Sequence, residues 1–231
     1  YFVTPDYPIY DEDSNLFCGY SMHFLENHLP IFHYKYSLES KVYSDGCDFK
    51  SLKEIVGDLF KAIKCLHSIG IIYGDLNPQN ILVDPQIMNP VLIDMDAVQL
   101  GTYFSESINK EYAYPRVKIE GYGQDKYFVY SMTSDLYAFA IMSFELIFGV
   151  KPHFFQTSPV TNTEEKKEMG LSILHYVMGE QHPLKKDYKI HENELYKEVL
   201  KRIQEIEEKD PLLLDYFLKV FVYKRVKASV F

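Results

Sequence analysis

Asp75, Asn80 and Asp94 are the residues whose types and spacing point most directly to chemistry. Asp75 and Asn80 sit five positions apart in Tyr73-Gly74-Asp75-Leu76-Asn77-Pro78-Gln79-Asn80, and Asp94 opens Asp94-Met95-Asp96, 19 positions after Asp75. A carboxylate and an amide oxygen are hard ligands of the kind Mg²⁺ takes. A second carboxylate held off the metal can orient a hydroxyl and accept its proton. Phosphoryl transfer asks for little more than this positioning and charge neutralisation. An isolated Asp-x4-Asn is also ordinary turn chemistry. What raises its specificity is the setting, a helix ending in Leu66-His67-Ser68-Ile69-Gly70, two apolar residues, the loop, and a short strand leaving it.

The elements that must position these residues follow from periodicity and turn residues. Tyr7–Tyr10 and Leu16–Leu25 flank the acidic turn Asp11-Glu12-Asp13-Ser14-Asn15 and read as a hairpin. Residues 26–47 are aromatic and irregular. Asp48 reads as an N-cap, and Leu52, Ile55, Val56, Leu59, Phe60, Ile63 and Leu66 form one apolar helical face that Gly70 stops. Ile81-Leu82-Val83 and Val91-Leu92-Ile93 read as short strands, a hairpin that returns Asp94 toward Asp75. Residues 97–133 show little periodicity and are expected to be a long ordered loop. Within it Tyr103, Ser105, Ser107 and Tyr112 read as residues of a polar loop. Ser134-Asp135 is expected to cap an apolar helix through Phe148, closed by Gly149 and Pro152. Helices are expected at about 164–178, 192–208 and 211–222. The order is not an alternating βαβα pattern, so the fold class is α+β rather than a doubly wound sheet.

Bulk properties bound the function. The 231 residues are 47% hydrophobic and 25% charged, enough for a packed core. A net charge of −9 argues against nucleic acid as a partner, because phosphate neutralisation supplies most of that affinity. Cys18, Cys47 and Cys65 are widely spaced, which excludes a disulfide framework or zinc site and suits a reducing, cytoplasmic setting. His23, His28, His33, His67 and His153 lack metal spacing, and His67 reads as a packing residue. The longest apolar run, Leu136 to Val150, is too short and too polar to span a bilayer, so no membrane role is expected. The chain opens without Met and reads as a fragment.

With these residues in view, the chain resembles the protein kinase fold. Tyr73-Gly74-Asp75 stands where that family has His-Arg-Asp, Asn80 matches its loop Asn, and Asp94 matches the Asp of Asp-Phe-Gly. Glu111 to Arg116 resembles the end of an activation segment. Ser134 to Ala140, with Glu145-Leu146 and Gly149 to Pro152, resembles the buried central helix, whose Asp, here Asp135, braces the catalytic loop backbone. Lys224-Arg225 resembles the Arg of the last helical hairpin.

The resemblance implies a protein kinase-like architecture in which residues 1–25 are the end of an N-lobe plus hinge. Residues 26–231 would be a mainly helical C-lobe with catalytic loop 73–80, metal motif 94–96, activation segment 94–116 and central helix 134–148. It implies ATP and Mg²⁺ as cofactors and a protein substrate, with phosphoryl transfer to Ser or Thr hydroxyls. Catalytic positions would be Asp75, Asn77 and Asn80, metal positions Asn80 and Asp94, and adenine contacts Met22, His23, Leu25 and Leu82. Gly-Asp-Leu-Asn-Pro-x-Asn, Ile-Asp-x-Asp and Gly19-Tyr20-Ser21-Met22 resemble, within that fold, the bacterial helix-hairpin-helix-associated and tellurite-cluster-associated kinases.

The departures are specific. The Gly-rich loop and phosphate-pairing lysine of the family would be expected before residue 1 and are not in this sequence. Gly74 replaces the Arg that reads activation-segment phosphate. Asn77 replaces a lysine that contacts the γ-phosphate. Arg116 replaces an acid that pairs with the position of Arg225, so another acid is expected to serve. Two other readings share parts of the pattern. Aminoglycoside- and choline-type phosphotransferases share the loop but lack the Ser-Asp-Leu-Tyr-Ala-Phe helix opening, and a non-catalytic pseudokinase scaffold would have no use for the Asp75–Asn80–Asp94 trio. Oligomeric state is not encoded in any of these features.

Overall fold

A computed structural model of the chain describes residues 2–43, 47–122, 125–177 and 189–226. Its framework is six helices: α1 (Phe49–Ser68), α2 (Met132–Phe148), α3 (Thr163–Met169), α4 (Leu174–Val177), α5 (Glu194–Lys209) and α6 (Pro211–Phe221). Short antiparallel strand pairs decorate them. Strands Pro5–Tyr10 and Phe17–Met22 make the expected N-terminal hairpin, in the register Tyr7↔Ser21, Pro8↔Tyr20 and Ile9↔Gly19. A three-stranded sheet joins Leu29–Pro30, Ile81–Asp84 and Asn89–Leu92 in that order. Ile71–Ile72 pairs with Gln99–Leu100, so the catalytic-type loop and the Asp94 turn both leave from paired backbone.

Local chemistry explains the helix ends. Asp48 caps α1 by accepting from Ser51 N at 2.7 Å. Gly70, at φ +80°, turns the chain out of it. The start of α2 lies two residues before the expected one. Ser131 is the cap, and it exchanges side-chain and backbone hydrogen bonds with Ser134 in a capping box. Ser134-Asp135 is therefore already one turn inside the helix, and Asp135 faces inward. The helix expected over 164–178 is two short ones, because Gly170 takes φ +73° and ends α3; residue 178 lies outside the described residues. The expected loop 97–133 contains a further hairpin, Lys118–Tyr122 against Asp125–Val129. Lys118 to Gly121 are all exposed, so the strand carries no buried face for an alternating pattern to reveal.

The core is built around α2. From Ser134 to Phe148 every residue but Glu145 is buried. Such an all-round apolar helix must be surrounded. α1 covers one side with Leu52, Ile55, Val56, Leu59, Phe60 and Ile63, and α5 and α6 cover another. Phe144 is the aromatic centre. Its ring lies 4.3 Å from Phe148, 5.2 Å from Phe217 and 5.9 Å from Phe221, centroid to centroid. Gly149 closes α2 at φ +80°, where an added Cβ would lie 2.7 Å from Tyr36 O. Phe144→Ala is expected to cost about 3–5 kcal/mol of stability, as for other fully buried aromatics. Urea denaturation would measure it, and a loss near zero would mean that this aromatic cluster is not the centre of the core.

Candidate active site

One buried carboxylate fixes the loop. Asp135, 1% exposed, accepts Tyr73 N at 2.8 Å and Gly74 N at 2.9 Å. Its Oδ2 also lies 2.8 Å from His67 Nε2. The bracing role that the resemblance implied for Asp135 is thus present as geometry. His67 does more than the packing expected of it: it ties the end of α1 to the same carboxylate. A buried charge is tolerated only when hydrogen-bonded in this way.

Asp75 follows directly. Its carboxylate Oδ2 accepts from Asn80 Nδ2 at 3.2 Å, and its backbone carbonyl accepts from both Asn77 Nδ2 and Asn80 Nδ2 at 3.0 Å. Oδ1 is buried and has no hydrogen-bond partner among the described residues. Burial pushes the Asp75 carboxyl above its usual range, with the hydrogen bonds from Asn77 and Asn80 opposing the shift and the Asp94 charge adding to it. Asn77 is itself buried, and its Oδ1 caps the following 3₁₀ turn by accepting Gln79 N at 2.9 Å. Both ends of that amide are engaged inside the loop, where they shape it.

Asp94 is reached by the hairpin as its spacing required. Ile93 N donates to Asn80 O at 3.0 Å, which brings the two segments side by side. Asp94 is exposed and takes φ +56°, a conformation that L residues adopt at a cost. Tyr73, 1% exposed, donates its hydroxyl to Ile93 O and lies 3.2 Å from Asp94 O, a tie between the two segments that spacing alone did not reveal. Asn80 and Asp94 offer one amide and one carboxylate. Among the described residues no group of three or more His, Cys, Asp and Glu could hold a metal. That sparse oxygen set fits Mg²⁺, which keeps waters and substrate oxygens as its remaining ligands, and does not fit zinc.

Beside Asp94 lies an open cavity of about 390 Å³ lined by Met22, His23, Leu25 and Leu82 together with Val3, Phe24, Ile93 and Met95. All four residues expected around an adenine ring therefore share one mostly apolar hollow with Asp94 and Asp96 at its rim. A second hollow of about 370 Å³ is lined by Asn77 together with Phe32, Lys35, Tyr112 and Glu145.

The segment beyond Asp94 is anchored by contacts between distant residues. Tyr112, read as a polar-loop residue, is 7% exposed and donates to Glu145 Oε2 at 2.7 Å, while Lys35 lies 3.4 Å from Glu145 Oε1. Glu111 pairs with Lys151 and not with Arg225, so this contact does not supply the acid expected in place of the one missing at Arg116. Lys167 donates to Lys110 O at 2.7 Å and Glu111 O at 3.3 Å.

Comparison with known proteins agrees with this geometry. The sequence matches the protein kinase domain family over residues 21–229, and the chain belongs to that family. It is 28% identical over 116 residues to the serine/threonine-protein kinase gad8 of Schizosaccharomyces pombe, covering 48% of this chain and 19% of the relative. It is 33% identical over 115 residues to cysteine-rich receptor-like protein kinase 11 of Arabidopsis thaliana, covering 45% and 16%. Against the serine/threonine-protein kinase YPK2/YKR2 of Saccharomyces cerevisiae the figures are 28% over 110 residues, 46% and 15%. The chain thus spans less than a fifth of the length of these relatives. Among the described residues no helix is long and apolar enough to cross a membrane.

Burial lowers the Lys167 ammonium to about 8, from an ordinary value of 10.5. A base with a depressed folded pKa costs stability while charged, so the cost is full below the folded pKa and fades as pH rises from about 8 toward 10.5. Wild type is expected to gain stability relative to Lys167→Met between about pH 7 and about pH 9.5 in urea titrations. Parallel pH curves for the two proteins would contradict a buried charge at Lys167.

Proposed function

We propose that this chain is part of a kinase that transfers the γ-phosphate of ATP to Ser or Thr hydroxyls of a protein. On this reading residues 1–25 end an N-lobe and its hinge, and residues 26–231 form the C-lobe. The observation that carries the proposal is the Asp75 carboxylate. One oxygen is steadied by Asn80 and the other is buried with no partner among the described residues, an arrangement that costs stability unless a donor arrives. A substrate hydroxyl is such a donor.

In the proposed reaction Asp75 accepts the hydroxyl hydrogen bond and takes up its proton. The hydroxyl oxygen forms a bond to the γ-phosphorus as the bond to the β–γ bridging oxygen breaks, releasing ADP. Magnesium, held by Asn80 and Asp94, would supply charge neutralisation on the phosphates. Asn77 and the Asp135 brace keep Asp75 in place. The hollow lined by Met22, His23, Leu25 and Leu82 receives the adenine ring, whose flat apolar faces match its lining. A protein acceptor is favoured over a small molecule by the open hollow beside Asn77 and by the ordered segment 97–116, which walls it with Asn109, Glu111 and Tyr112. The relatives bearing serine/threonine-kinase names support the same acceptor. The finer likeness to bacterial helix-hairpin-helix- and tellurite-cluster-associated kinases rests on Gly74–Asn80, Ile93–Asp96 and Gly19–Met22.

Two variants separate the roles. In the full-length protein, Asp75→Asn and Asp94→Ala are each expected to lower phosphoryl transfer by at least about 100-fold. Asp94→Ala is also expected to weaken magnesium-dependent nucleotide binding, while Asp75→Asn leaves it intact. Because a raised carboxyl pKa in the folded state marks a destabilising charge, Asp75→Asn is expected to raise the melting temperature at neutral pH. Wild-type rates in both variants would overturn the proposal, and failure of the wild-type protein to bind Mg-ATP would favour a non-catalytic scaffold.

A further inference from the structure

The segment from Ala97 to Ser107 carries no ion pair among the described residues, yet it is tied down near both ends, at Gln99 and at Ser105–Ser107. Gln99, 6% exposed, faces Tyr130, 3% exposed. Gln99 Oε1 accepts Tyr130 N at 2.9 Å and Gln99 Nε2 donates to Tyr130 O at 3.1 Å. One side-chain amide thus satisfies both backbone groups of a single residue, as a neighbouring strand would. The Tyr130 hydroxyl donates to Ser107 O at 2.8 Å, and Ser105 Oγ donates to the same carbonyl at 3.1 Å. Phe128 N donates to Ser105 O at 2.7 Å, so the hairpin preceding α2 adds a further rung.

The Tyr130 ring closes this network onto the catalytic-type loop. A Cβ added to Gly74 would lie 3.1 Å from the ring and 2.6 Å from Ala97 O, and Gly74 stands at φ +84°. Only glycine leaves room for that approach. Gly74 is therefore enclosed by the Asp135 carboxylate, the Ala97 carbonyl and the Tyr130 ring, one position before Asp75. Each of these contacts on the segment side is between neutral groups, with donor and acceptor both supplied by the chain. In a buried setting such a fully satisfied network is rigid.

We infer that Gln99 and Tyr130 are positioning residues that clamp residues 97–107 onto the Asp75 loop, so that this side of the site is ordered without covalent modification of the segment. Its effect on activity rests on the proposed phosphoryl transfer; the clamp itself does not.

The test uses phosphatase-treated full-length protein as wild type, Gln99→Leu and Tyr130→Phe. Amide hydrogen exchange over 97–107 and over α1 is read alongside Mg-ATP affinity and kcat/KM for a protein substrate. Phosphatase treatment is expected to leave wild-type exchange and rate unchanged within about twofold. Each variant is expected to speed exchange in 97–107 by about fivefold or more, the worth of one lost hydrogen bond, with α1 unchanged. Each is also expected to lower kcat/KM for the protein while Mg-ATP affinity holds, a split that a general loss of folding would not produce. Faster exchange in wild type after phosphatase, or variants that exchange like wild type, would overturn the clamp. A protected segment in a wild-type protein that transfers no phosphate would uphold the clamp and sink the functional reading instead.

Discussion

Everything in the site hangs from the Asp135 carboxylate. It sits inside a helix that is buried on nearly every side and is almost fully removed from water, so its charge must be met by fixed donors. The donors are Tyr73 N, Gly74 N and the His67 ring. Two of these belong to the loop that carries Asp75, and the third ends α1. The cost of burying the charge thus becomes a positional constraint: moving the loop or α1 would strip a buried carboxylate of partners, a change worth several kcal/mol. The aromatic packing of Phe144, Phe148, Phe217 and Phe221 holds α2 itself, so core rigidity is passed through Asp135 to the Asp75 backbone.

Around that fixed point the residues nearest the proposed chemistry are the ones left locally unfavourable. Asp75 keeps one buried oxygen without a partner, and Asp94 stands at φ +56°. Neither feature stabilises the fold. Each is tolerated because the surroundings over-determine it. Asn77, Tyr73 and the amide nitrogen of Asn80 spend their polar atoms within the two segments, which leaves Asp75 Oδ1, the amide oxygen of Asn80 and the exposed Asp94 carboxylate for what binds.

What was legible in the sequence follows from how local each signal is. The helices at 49–68, 194–209 and 211–221 were read from apolar spacing, because each has one buried face. Asp75, Asn80 and Asp94 were read together because a short hairpin makes their sequence spacing a spatial one. The hairpin at 118–129 was missed because Lys118 to Gly121 are all exposed and carry no alternation. The start of α2 was misplaced because Ser131 and Ser134 are both good caps, and only the inward turn of Asp135 decides between them. The break at Gly170 was passed over because apolar residues continue on its far side in Leu171, Ile173 and Leu174.

The pairings that order the segment after Asp94 were illegible for a different reason. Lys35 meets Glu145, Glu111 meets Lys151, and Gln99 meets Tyr130 across 31 to 110 positions. No period or motif links such residues, and each alone reads as an ordinary polar side chain on a loop or helix surface. Gly74 is the exception that could have been followed further. A glycine in place of a long cationic side chain is a loss if one asks only what contact is removed. It is also space, and the Tyr130 ring and Ala97 carbonyl occupy that space at distances a Cβ would forbid. On the proposed clamp, that space lets packing and hydrogen bonds hold the segment, interactions that depend far less on salt than an ion pair does.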